Sequence, residues 1–196
     1  MTSKLGSAFS AVCLVAQATA PCPAAAEPTI AEEPSYYDIV GASAAELVAQ
    51  MNSLGPIDSN DNKKVWAKAR WRVNWRYAYH MEGSTCLLDK VTVSLRIEYT
   101  YPRWKNEADA DEATRSAWTR FVSVLQKHER QHGQHGIDAA REVEPAIGAI
   151  EGRPTCEALA EEANAVGQRI TKKHAARDVE YDQRTHHGRD EGVHLP

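Results

Sequence analysis

Residues 65–79, VWAKARWRVNWRYAY, alternate almost without interruption. Val65, Ala67, Ala69, Trp71, Val73, Trp75, Tyr77 and Tyr79 fall on one face, and Lys68, Arg70, Arg72, Asn74 and Arg76 on the other. A period of two is that of a strand with one covered face. Residues 87–101 repeat it with Leu87, Val91, Val93, Leu95, Ile97, Tyr99 and Tyr101, and the Gly-containing Met81–Thr85 between them suits a hairpin connection. The pattern predicts a long antiparallel ribbon whose aromatic and aliphatic face needs a helical cover. Its cationic row reads as a solvated outer face.

Outward from the ribbon, Pro102 is expected to end it, and the period then becomes helical. Trp118, Phe121, Val122, Leu125, His128, Glu129 and His132 fall on or near one face at about 100° per residue. This helix, about 112–144, is predicted to cover the apolar face of the ribbon, giving an α+β fold. Gly133 and Gly136 weaken it, and Pro145 predicts a break or kink. Before the ribbon, Tyr36–Val40 reads as a first strand. Ser43-Ala44-Ala45-Glu46 has capping-box spacing for a helix from about Ala44 to Ser53. A last helix runs from Thr155 through Ile170, and the polar stretch Tyr181–Gly188 reads as a tail outside the core.

His128-Glu129-Arg130-Gln131-His132 carries the chemistry. Two imidazoles four residues apart on a helix can present nitrogens to one ion, and Glu129 then lies beside a metal-bound water as a proton acceptor. Two unpaired histidines on an apolar stripe would otherwise be costly to bury. A catalytic zinc needs a third protein ligand and an open position. The residues alone leave several candidates. They are His135, three residues on; Asp138, six residues on; Glu157 or Glu161 on the following helix; and His186 or His187 in the tail. His80, His174 and His194 read as surface histidines.

The 196 residues suit one domain with a real core. Residues 1–26 read as a signal peptide: Lys4, a modest apolar stretch over 8–20, and Ala24-Ala25-Ala26 before a cleavage point near Ala26. The apolar stretch is too short for an ordinary membrane span, so export without stable membrane insertion is expected. Residues 27–35 read as a flexible lead-in, and 36–196 as a single domain. Cleavage removes Cys13 and Cys22, leaving Cys86 and Cys156 with one possible intramolecular pairing; two buried free thiols are the alternative. The net charge is −4, or −5 once Lys4 is removed, and no Lys/Arg run tracks a phosphate backbone. Nucleic acid is therefore not an expected partner. No sequence feature sets an oligomeric state.

The chain also resembles a bacterial family of unknown function described as predicted secreted zinc-dependent proteases and grouped with the zincin peptidases. The resemblance runs through Tyr37–Gly41, Gly55-Pro56, the Trp-rich ribbon, Cys86, Pro102 with Trp104, and Trp118 with Phe121. It continues through His128-Glu129-x-x-His132, Cys156 and Tyr181-Asp182-x-x-Thr185-x-His187-Gly188. It implies that Cys86 and Cys156 go together, and that the tail histidine of the pattern is His187. The combined expectation is a zinc site made by His128, His132 and His187, with Glu129 as general base. Asp182 is expected to orient an imidazole, and Tyr181 to donate to the developing oxyanion. The expected partner is a peptide or protein substrate. The alternative is a non-catalytic exported zinc protein whose metal clamps the tail to the motif helix.

Overall fold

The structure is a computed structural model and describes residues 27–58 and 62–196. The signal expected over residues 1–26 lies outside them. The ribbon forms as the alternation requires: β2 (Lys68–Glu82) and β3 (Thr85–Trp104) pair antiparallel, from Lys68↔Thr100 to Glu82↔Thr85. Their inner face buries Val73, Val91, Val93, Leu95, Ile97, Tyr99 and Tyr101, while Arg70, Arg72, Asn74 and Arg76 point out.

A third strand, β1 (Thr29–Ile39), lies parallel to β3, so the sheet order is β1-β3-β2. This corrects two expectations. The lead-in at 27–35 is strand from Thr29 on. Its side chains are almost all exposed, so no hydrophobic pattern announces it; backbone pairing to β3 holds it. The ribbon also does not end at Pro102, which lies within β3. Pairing with β2 stops at Thr100, so beyond it β3 has only β1 beside it. A proline without an N–H is tolerated on such an edge.

Two long helices cover the apolar face. Helix α1 (Ala44–Leu54) comes first and is short, its N-cap Ser43 accepting from the Glu46 N–H. Helix α2 (Glu112–Gly148) has 37 residues, about 55 Å of helix, and buries Trp118, Phe121, Leu125, Val143 and Ile147. It does not weaken at its glycines, because those glycines let it approach the sheet. A Cβ at Gly133 would stand 2.1 Å from the Tyr99 hydroxyl, and one at Gly136 2.7 Å from the Trp71 ring. Nor does Pro145 break it; the proline sits in the last turn, where little helix remains to disrupt.

Helix α3 (Cys156–Thr185) runs far beyond the expected end near Ile170 and absorbs most of the supposed tail. It is antiparallel to α2: Glu142 meets His174, and His128 meets Asp182. Its buried stripe is Leu159, Ala163, Val166, Ile170, His174, Tyr181 and Thr185. His174 is thus a core histidine, 1% exposed and bonded to Glu142, not a surface one. A Cys86–Cys156 disulfide ties the start of β3 to the start of α3. Closing 70 residues of chain, it contributes about 4 kcal/mol through the unfolded state. Among the described residues no helix is long and apolar enough to cross a membrane.

Candidate metal centre

The inner stripe of α2 carries His128, Glu129 and His132 into the space between the sheet and α3, where they are 4%, 5% and 8% exposed. Polar groups this deep need partners, and α3 supplies them. Asp178 and Asp182, one turn apart, face the histidines one turn apart on α2. Asp182 Oδ1 is 3.1 Å from His128 Nε2 and 3.1 Å from His132 Nε2, and the two nitrogens are 3.3 Å apart. Ligands about 2.0–2.1 Å from a tetrahedral ion lie about 3.3 Å from one another, so these atoms have the spacing of one face of such a shell.

The other ring nitrogens explain why lone pairs converge there. His128 Nδ1 is 2.9 Å from Glu191 Oε2, and His132 Nδ1 is 3.1 Å from Asp178 Oδ1. A carboxylate accepts, so each imidazole donates from Nδ1 and is left with a lone pair on Nε2. Two imidazole lone pairs and a carboxylate oxygen pointing at one spot repel unless a cation lies between them. Without a metal, protons fill that role. Burial works against a charged His132, but its bonds to Asp178 and Asp182 outweigh it and lift its pKa to about 10. His128 is raised in the same way, burial opposing and Asp182 and Glu191 prevailing. Burial also pushes Asp182 up, yet the bonds from both histidines hold its carboxyl well below the usual carboxylate range. The donor set therefore fits a divalent ion, and His128, His132 and Asp182 form a group that could hold one.

Glu129 is buried close to His128 and His132. Burial lifts its carboxyl to about 7, partly offset by His132 and His128, and it accepts a hydrogen bond from the Ala69 N–H on β2. It lines a cavity of about 660 Å³ together with the two histidines, Asp178, Asp182, His187 and the first residues of β2.

The remaining expected residues fall differently. His187 is not drawn to the two imidazoles. It is half exposed, 3.7 Å from Asp182 Oδ1, and groups instead with Asp58 and Asp182. Asp182, expected to orient an imidazole, is the third member of the group with His128 and His132 that could hold a metal ion. Tyr181 does not offer its hydroxyl to the cavity: it donates to Glu191 at 2.8 Å and stacks on His128 with ring centroids 4.8 Å apart. Burial, then Glu191, raises its pKa further.

His135 lies 2.6 Å from Asp178 through Nδ1, in a second His132/His135/Asp178 group. Asp138 is bonded to Gln134, and His186 to Asp190. Glu157 and Glu161 are exposed near the far end of α3. Sequence reading missed Asp178 and Glu191. Asp178 continues the spacing of Val166, Ile170 and His174, a signal that was present. Glu191 reaches His128 only because His186, His187 and Gly188 take three successive left-handed conformations that turn the chain back, which no local pattern foretells.

Fold and site together define an α+β protein with a buried His/Asp cluster able to hold a metal ion. The chain belongs to a bacterial protein family of unknown function, DUF922, whose model matches residues 34–188. The matched span contains every residue of the cluster and stops before Glu191. No curated protein and no solved structure matches the chain.

Proposed function

We propose that the protein is an exported zinc-dependent peptidase in which His128, His132 and Asp182 hold zinc and Glu129 is the general base. The observation that carries this reading is the triangle of Nε2, Nε2 and Oδ1 atoms at 3.1–3.3 Å, beside a buried glutamate on an accessible cavity. Three protein ligands leave a position for water, the arrangement of a catalytic site; a structural site closes its shell with a fourth. When bound, zinc supplies Lewis acidity and lowers the pKa of its water to about 7. Glu129 takes a proton from the attacking water and returns it to the departing amine. Its bond to the Ala69 N–H keeps the carboxylate on the cavity side of α2. Asp178 and Glu191 hold the imidazoles in the tautomer that presents Nε2. The Cys86–Cys156 disulfide supports an oxidising compartment, in keeping with a signal over residues 1–26.

Purified mature protein should carry about one zinc per chain and cleave members of a diverse peptide library. Chelation should abolish cleavage and zinc should restore it. A zinc-loaded chain inert on the whole library, and unfolded by chelation, would instead make the metal a structural clamp.

Glu191 lies outside the span shared with the family, yet it fixes the tautomer of His128. Glu191→Gln should weaken zinc binding by about 10–100-fold, the usual cost of losing such a carboxylate. Competition with a chromophoric chelator measures it; unchanged affinity would remove Glu191 from the site.

A further inference from the structure

The walls of the cavity carry a charge opposite to that of the whole chain. Lys63 and Lys64 come from the segment that leads into β2, Lys68 and Arg70 from its first residues, Lys172 from α3 and Arg189 from the turn after it, so cations stand on opposite sides of the opening. Of the acids lining it, Glu129, Asp178 and Asp182 belong to the histidine cluster and its proposed base, and Asp58 is the one other among the described residues. The protein as a whole is at −4.

Away from the cavity, Arg96, Arg103, Arg141, Arg153 and Lys173 each lie within salt-bridge distance of a carboxylate. Arg70, Lys172 and Arg189 form no ion pair with any described carboxylate. Six cations against four described carboxylates around one opening focus the field there. Such a field raises the local concentration and association rate of anions by about 10–10³-fold.

Resting on the peptidase reading, we infer that the cavity selects acidic peptides, with Asp or Glu side chains flanking the cleaved bond meeting Lys172 and Arg189. A peptide is favoured over a polynucleotide because the tryptophans at the cavity are used inward. Trp66 packs edge-on to Phe121 with centroids 5.6 Å apart, and Trp71 lies against Gly136 with its N–H on Asp178. Neither serves as a platform for stacked bases.

The test uses the zinc-loaded mature chain with Glu129→Gln, which separates binding from cleavage. A dye-labelled Glu-rich peptide should bind at least about tenfold more tightly than its Gln counterpart, and the Lys counterpart more weakly still, with the preference fading as salt rises. Combining Lys172→Gln and Arg189→Gln should bring the Glu and Gln peptides to near-equal affinity, with zinc content and thermal melting as controls for folding. Wild type should then cleave the Glu-rich peptide with the higher kcat/KM. Equal binding of the Glu, Gln and Lys peptides would overturn the inference while leaving the peptidase reading intact. Equal displacement by a single-stranded oligonucleotide of matched charge would overturn it in favour of a general polyanion surface. Tight, salt-sensitive binding of the Glu peptide without cleavage by wild type would keep the inference and remove the peptidase reading.

Discussion

Glu129→Gln should keep its zinc and lose peptide hydrolysis, with kcat/KM falling by about 10²–10⁴-fold. That range corresponds to about 3–5 kcal/mol of barrier, at roughly 1.4 kcal/mol for each factor of ten. Glutamine has the shape of glutamate and an amide oxygen that can accept from the Ala69 N–H, but no usable basicity. The proposed metal ligands are His128, His132 and Asp182, so removing the Glu129 charge leaves the donor set whole. Stability should not confuse the result. Burial raises the Glu129 carboxyl from 4.5 to about 7, so in the metal-free chain the folded state holds this proton more tightly than the unfolded state does. Stability contributed by this group therefore falls as pH rises from about 4.5 through 7. The neutral variant escapes that loss, and metal-free Glu129→Gln should melt no lower than wild type at neutral pH. Steady-state kinetics on any cleaved peptide, with zinc content measured on the same sample, checks the prediction. Full activity in the variant would remove Glu129 as the base.

The second large effect separates Asp182 from His187. Asp182→Ala should weaken zinc binding by about 10²–10³-fold, whereas His187→Ala should leave the ion in place. The estimate follows from zinc sites of four ligands, whose roughly 10–16 kcal/mol of binding averages about 2.5–4 kcal/mol per ligand. Asp182 Oδ1 is 3.1 Å from both imidazole nitrogens, while His187 is half exposed and 3.7 Å from that oxygen. Equilibrium dialysis against zinc in a competing chelator reads both variants. The reverse order of losses would return the third position to the tail histidine.

That reversal of roles shows where sequence reading stopped. The ribbon was legible because one buried face imposes a period of two, and α2 because its buried stripe imposes 3.6. His128, Glu129 and His132 were legible because helical spacing alone puts them together. Asp182 was visible as a residue, but its meeting with both histidines was not, since Tyr181–Thr185 looked too polar for a core element. Those residues are the last turn of α3: Tyr181 and Asp182 face histidines across a gap instead of aliphatic side chains, and Gln183 and Arg184 are exposed. A helix opposite a metal cluster carries carboxylates where a core helix carries leucines, so hydrophobic pattern alone ends it too early. β1 was curtailed for a related reason. Its pairing is made by backbone, its side chains stay in water, and only Ile39 at its end is buried. Contacts made by chain reversal, such as Glu191 on His128, depend on three left-handed residues in a row.

Crystals of the mature protein grown with zinc, measured on both sides of the zinc absorption edge, would locate the ion directly. One anomalous peak should appear per chain, bounded by His128 Nε2, His132 Nε2 and the Asp182 carboxylate, with Glu129 beside it and His187 outside its shell. A peak held by His187 in place of Asp182, or no peak at the His128/His132 pair, would contradict the site described.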